Sequence, residues 1–191
     1  MLTTRQQEIV DQAMAIVVEQ GTHKLTIRNV AQAIGVSEPA VYRHFASKHD
    51  LLVALLESLQ RSILPIFAPF HTTSLDLQTF TDSLLTGLFG HIESNPAFAL
   101  FVFTEEAFHA DAQLRPLLSD MLGEMVEKLT RIIMQLQTSG NCRIDTEAKH
   151  IALIILGAIR LQVTRWHLGS DEPLSDQAPS LSRTLVTLLS P

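Results

Sequence analysis

The densest pattern of apolar and polar positions lies at residues 26–52, TIRNVAQAIGVSEPAVYRHFASKHDLL. Apolar residues recur there with helical spacing in two short runs, separated by a glycine. Val30, Ala31 and Ile34 form the inner face of a first helix. Gly35 ends it, where a helix calls for a residue free to take φ > 0. Ser37 opens a second helix as N-cap, and Val41 and Phe45 recur at i, i+4 on its inner face. The order Ala31, Gly35, Val41 supplies a small residue for a close crossing, a turn glycine and an aliphatic plug. These are the needs of a helix-turn-helix unit.

Three helix starts in this stretch share one local grammar. Thr26, Ser37 and Ser47 are each flanked by an apolar residue before and another four positions after the cap, as in a hydrophobic staple. Pro39 falls at the second helical position, where a missing N–H costs little. The Ser37 hydroxyl is then expected to cap the N–H of Ala40.

The pattern elsewhere is also helical. A first helix is expected from Arg5 to Glu19, with Ile9, Ala13, Ile16 and Val17 inward and Gly21 ending it. A fourth starts at Ser47 and carries Leu51, Leu52, Leu55, Leu56, Leu59 and Ile63. Pro65 and Pro69 interrupt it, and PIFAPFHTTS reads as a connector. From Leu75, Phe80, Leu84, Leu88 and Ile92 form a stripe that ends at Asn95-Pro96. The segment AFALFVFTEEAFH is apolar almost all round and is expected inside the domain. A long helix follows from about Leu114 to Leu136, and another over 146–168. Pro179 suits the first position of a final short helix reaching about Leu189. No repeat or strand-period segment stands out, so the fold class is all-α.

Composition narrows the class. The 191 residues are 46% apolar with only 8 Gly and 8 Pro, so the chain can build a core. No apolar segment of signal-peptide type follows Arg5. The uncharged run 151–159 is half a bilayer span and reads as a buried helix, so no membrane partner is expected. The single cysteine, Cys142, excludes an intramolecular disulfide and fits a reducing, cytoplasmic setting. Charge is uneven. Residues 1–61 hold six basic and six acidic side chains, and the remainder holds eight basic and fourteen acidic ones. The N-terminal part is neutral rather than basic, a weak electrostatic footprint for a nucleic-acid binder.

The outer face of the second short helix carries the candidate chemistry. Opposite Val41 and Phe45 lie Pro39, Ala40, Tyr42 and Arg43, with His44 at the edge. This face is small at its start and polar at its end, a shape that enters a major groove N-terminus first. Arg43 suits a guanine edge or a phosphate, and Tyr42 suits a phosphate. Pro39 or Ala40 suits a thymine methyl. Thr26 and Ser37 stand at helix N-termini that favour an anion, and Arg28 in the first turn joins them. Lys48 is a cation in a first helical turn, where a bound phosphate would relieve the mismatch. Glu38 reads as a dipole partner.

Taken together, GVSEPAVYRHFASKHDLL resembles the DNA-binding signature of the TetR family of transcriptional regulators. The aromatic pair Tyr42 and Phe45, then Ser47-Lys48 and a leucine-rich fourth helix, carry the likeness. Gly21 and Thr26-Ile27 with Val30-Ala31 extend it over about residues 5–60. The resemblance implies an all-α homodimer with a DNA-binding domain over 1–50. An effector-binding and dimerisation domain would cover 51–191. It implies a regulator, expected to be a repressor, on a palindromic double-stranded operator, released by a small and mainly apolar effector. Phe89, Phe101, Phe108, Met121, Met125 and Trp166 are the candidate effector residues, with Phe103, Arg160 and His91 nearby in the pattern. The apolar helices at about 147–166 and 181–189 are the candidate homodimer contact, through Ile151, Ile155, Ile159, Leu181 and Leu185. Two other readings stand beside this one: a helical ligand-binding or scaffold protein without DNA readout, and a constitutive DNA binder controlled by a protein partner.

Enzyme chemistry has little support. None of the eight histidines lies at i, i+4 from another histidine or from Cys142, and no cysteine pair, HExxH, phosphate loop or GxSxG occurs. Glu105, Glu106 and His109 form the best cluster and read as the polar edge of a buried segment. No metal or cofactor is expected. The sparse basic residues lead to a first prediction. DNA affinity should fall as salt is raised, with a modest slope, because few phosphates are neutralised per subunit. A binding constant unchanged between low and moderate salt would contradict the proposed contacts.

Overall fold

The structure is a computed structural model that describes residues 2–70, 75–95, 114–170 and 172–191. Every regular element among them is helical. The elements are α1 (Thr4–Gln20), a 3₁₀ turn (Thr22–Lys24), α2 (Ile27–Ala33), α3 (Glu38–Tyr42) and α4 (Lys48–Ile63). A 3₁₀ helix (Leu64–Phe70), α5 (Leu77–Ser94), α6 (Leu114–Thr138), α7 (Ala148–His167) and α8 (Leu174–Leu189) follow. The chain divides into two compact units, one holding Met1–Ser62 and the other Ile63–Asn95 with Asp120–Pro191.

The first unit is built on the apolar spacing. Ile9, Ala13, Ile16 and Val17 are buried on α1, Val30 and Ala31 on α2, and Val41 on α3. Thr3 caps α1 in a full capping box with Gln6, a signal present in the sequence but unused in the reading above. Gly21 ends α1 as expected, with φ of 85°. Asp50 donates its N–H to the Ser47 hydroxyl at 3.1 Å, so Ser47 caps α4.

Two local expectations are corrected here. Leu64–Phe70 is not an open connector: it winds as a 3₁₀ helix that buries Phe67 and Phe70. Short 3₁₀ pieces accommodate chain that proline bars from a regular α-helix, and the aromatic rings anchor this one. Phe70 meets Phe80 edge to face, with ring centres 5.1 Å apart. The run Lys48–Phe70 is apolar and long enough to cross a bilayer by composition. It changes to 3₁₀ winding at Leu64, however, and buries Leu51, Leu55, Phe67 and Phe70 inside the protein.

The second correction concerns Pro179, which lies inside α8 rather than at its start. The helix begins at Leu174 because Leu174, Gln177 and Ala178 are already buried. Glu93 of α5 accepts the Ser175 N–H at 3.0 Å, satisfying one of the free amides of the first turn. Burial and this cap outweigh the backbone bond that Pro179 cannot make.

In the second unit α5 packs along α8. Leu77, Phe80, Leu84, Leu85, Leu88, Phe89 and Ile92 are the buried side of α5, as the stripe predicted. Between the two helices the Thr81 and Ser182 hydroxyls meet at 2.8 Å, both buried. Thr81 also donates to the Leu77 carbonyl within its own helix. The far end of α8 is closed by Arg143, whose N–H and guanidinium donate to the Leu189 and Leu188 carbonyls. Arg143 in turn holds Asp145 below its ordinary pKa, chiefly by hydrogen bonding.

Asp76 caps α5. Its carboxylate accepts the Thr79 hydroxyl at 2.6 Å and the Thr79 N–H at 2.8 Å. These bonds, the hydroxyl first, hold its pKa below the ordinary 3.8. A depressed carboxylate contributes stability that is present above its unfolded pKa and lost as pH falls through the folded value. Asp76→Asn should therefore lower the melting temperature near neutral pH. The gap to the parent protein should close as pH drops below 3.8, which melts across an acid pH series would measure.

Candidate nucleic-acid interface

The interface is assembled from the turn outward. Thr26 caps α2 by accepting the Asn29 N–H at 3.1 Å, and the Asn29 side chain donates back to the Lys24 carbonyl at 2.7 Å. At the far end of α2, Gly35 takes φ of 72°. Gly35 N–H donates to the Gln32 carbonyl and Val36 N–H to the Ala31 carbonyl. This paired closure fixes the angle at which the chain leaves α2. A side chain at position 35 would meet nothing within 4 Å, so glycine is required there by backbone conformation and not by space.

Ser37 then starts α3, but its hydroxyl makes no capping bond, contrary to the expectation that it would cap Ala40. The Ala40 N–H instead donates to the Ser37 carbonyl at 2.9 Å. In a helix of five residues with proline at the second position, the backbone alone satisfies that amide. The helix ends at Tyr42, one turn earlier than the i, i+4 pair suggested. Phe45 is still buried, because its N–H donates to the Val41 carbonyl and carries the turn onward.

The nine sequence-predicted residues all lie in this one unit, and none is buried. Thr26, Arg28, Ser37, Pro39, Tyr42, Arg43 and Lys48 are exposed, while Ala40 and His44 are half-buried. Tyr42 is 48% exposed, so its ring is not a packing residue of the core. Arg28, Arg43 and Lys48 enter no ion pair among the described residues, whereas Arg5, Arg61, Lys128 and Arg143 each hold a carboxylate. The arrangement presents uncommitted donors and cations beside two helix N-termini, a surface suited to a polyanion.

One contact was not foreseen. The Gln6 side chain of α1 donates to the His44 carbonyl, just past the end of α3, at 3.2 Å. The capping-box spacing from Thr3 to Gln6 marks this glutamine in the sequence, but its reach to His44 depends on how α1 and α3 pack.

The other predicted residues are placed as follows. Phe89 and Met121 are buried, and Met125 and Trp166 are half-buried. Phe101, Phe103, Phe108, Glu105, Glu106 and His109 lie outside the described residues. Ile151, Ile155, Ile159 and Leu185 are buried within the single chain, and Leu181 is half-buried. The apolar surface that α7 and α8 present outward is a neighbouring stripe, with Ile154 53%, Leu161 60% and Leu188 54% exposed. Apolar residues surround α7, and sequence spacing alone did not say which stripe the protomer uses for itself.

Comparison with known proteins agrees with this geometry. The profile of the bacterial regulatory proteins of the tetR family matches residues 9–55. A nucleoid occlusion factor, SlmA of Vibrio vulnificus, is 24% identical over 166 residues, covering 86% of this chain and 84% of that protein. The HTH-type transcriptional repressor KstR2 of Rhodococcus jostii is 23% identical over 164 residues, covering 85% and 79%. Among solved structures, the transcriptional regulator FadR of Bacillus subtilis in complex with stearoyl-CoA superposes with a TM-score of 0.82 at 21% identity. That match covers 95% of this chain and 97% of the other. The superposition with the FadR regulator extends over residues of both units. The helix-turn-helix at residues 26–48 thus lies inside the profile match over 9–55, and the N-terminal unit carries the DNA-binding domain of the tetR family of bacterial regulatory proteins.

Proposed function

We propose that the protein is a cytoplasmic transcriptional repressor that binds a palindromic operator as a homodimer and is released by a small, mainly apolar effector. The observation that carries the DNA-binding part is the outward face of α3. Pro39, Tyr42 and Arg43 are exposed there, while Val41 anchors the helix from behind. In this reading Arg43 and Tyr42 reach base edges or phosphates, and Lys48 with the Thr26 and Ser37 hydroxyls holds the backbone. Two such helices must sit about 34–36 Å apart to meet successive major grooves, which requires a dimer. The exposed stripe of Ile154 and Leu161 on α7 with Leu188 on α8 supports a self-association face. For the effector, the FadR neighbour crystallised with stearoyl-CoA supports a long-chain acyl thioester as the first compound to test.

The likeness to a nucleoid occlusion factor over most of both chains favours a second reading, in which the protein acts by occupying many DNA sites without an effector. Selection of bound sequences from a random duplex pool, followed by titration of stearoyl-CoA, separates the two. Enrichment of a palindrome that acyl-CoA releases supports the repressor. Enrichment without release supports occupancy alone, and no enrichment rejects both.

On the enriched site, Arg43→Ala should cost about 1–3 kcal/mol and relax preference at one base position. Lys48→Ala should weaken all duplexes about equally, as competition with unrelated DNA would show. A paired change, Ile154→Glu with Leu161→Glu, should leave a folded monomer in sedimentation and abolish preference for the palindrome over a half-site. A dimer that survives this change would place the contact elsewhere.

A further inference from the structure

We propose that Gln6 is a positioning residue for DNA readout, because its one side-chain amide closes the start of α1 and holds the end of α3. It rests on the reading that α3 is the element presented to base edges.

The two atoms of the amide have separate tasks. Its Oε1 accepts the Thr3 N–H at 3.0 Å, while the Gln6 N–H donates to the Thr3 hydroxyl at 3.2 Å. Its Nε2 donates to the His44 carbonyl at 3.2 Å, across 38 residues of sequence. That carbonyl lies just past the end of a short helix, where the helical ladder supplies it no N–H. A helix of five residues has little rigidity of its own. The Gly35 turn fixes its N-terminal end, and Val41 fixes its middle. The end that carries Tyr42 and Arg43 is held through His44 by Gln6. A change in tilt there moves the two side chains best suited to read bases, without moving the backbone-binding groups at Thr26 and Ser37.

The chemistry of the amide makes the idea separable from capping. Glutamate at position 6 keeps the acceptor for Thr3 and removes the donor to His44. Methionine removes both at similar length. Thr3→Ala weakens the cap and leaves the tie to His44. The quantity to measure is the ratio of dissociation constants for a scrambled duplex and for the selected operator of equal length, in the full-length protein well below its melting temperature. Partial unfolding lowers the active fraction for both duplexes alike, and a new charge at position 6 repels both alike, so neither moves the ratio. Gln6→Met and Gln6→Glu should each lower the ratio about fivefold, the loss expected for one hydrogen bond, with Thr3→Ala within about twofold of the parent.

Arg43→Ala measured in parallel serves as the benchmark. If it loses discrimination while both Gln6 variants keep it, the positioning role is overturned and the α3 reading stands. If Thr3→Ala loses as much as Gln6→Met, the cap and not the tie is responsible, and the proposal also fails. If Arg43→Ala and the Gln6 variants all keep the parent ratio, α3 does not read bases and both ideas fall. Should Gln6→Met fail to fold in a thermal melt, Gln6→Glu, which preserves the capping box, decides alone.

Discussion

Everything proposed for DNA binding depends on a helix too short to support itself. Nucleating a helical turn is unfavourable, and an isolated five-residue segment in water has no means of persisting. In this protein α3 exists because its neighbours define it. Val41 is fully buried, and α2 packs against α3 through the face that carries Val30 and Ala31. The closure at Gly35 sets the angle between the two helices, and the Gln6 amide holds the His44 carbonyl just beyond α3. Burial of one valine can be worth ~1.5–3 kcal/mol. That is large beside the marginal propensity of so short a run. It is small enough that the surrounding bonds matter to orientation.

This construction explains how the outer face can be nearly free of packing. Tyr42, Arg43 and Lys48 contribute little to the core, so their chemistry can be assigned to a partner. The neutral balance of residues 1–61 then becomes intelligible. In the proposed mode of binding, affinity would rest on a few placed groups and on helix termini, rather than on a broad basic field. The second unit solves a different problem. Its α5 and α8 are held by ordinary apolar burial, with one buried hydroxyl pair, Thr81 and Ser182, marking the register between them. An alternative alignment of the two helices would lose the bond between those hydroxyls, although Thr81 would keep its intrahelical carbonyl partner, and one such bond is worth about 0.5–1.5 kcal/mol.

Much of this was legible in the chain because it depends on local chemistry. Caps at Thr26 and Ser47 need only a side chain three residues from an amide. The φ > 0 turn at Gly35 needs only a residue without a Cβ. The apolar stripes of α1 and α5 follow from a fixed period of 3.6 residues. Where these rules misled, a competing term had won. Ser37 gave up its capping bond because the backbone of a one-turn helix already served Ala40. Pro179 sits within α8 because Leu174 and Ala178 were worth burying and Glu93 was there to cap the start. The prolines after Ile63 changed the kind of helix rather than ending it, since Phe67 and Phe70 had a core to enter.

The sequence by itself determined the fold class, the helix-turn-helix and the identity of its outward side chains. All three are consequences of spacing and of which residues can cap or turn. The tertiary structure alone decided which stripe of α7 the protomer keeps. Ile151, Ile155 and Ile159 went inward, and Ile154 and Leu161 were left outside. It alone joined Gln6 to His44 as well. A helix that is apolar on several sides has no preferred face until a neighbour occupies one, and a bond across 38 residues has no signature in the chain until the helices that bear it have packed.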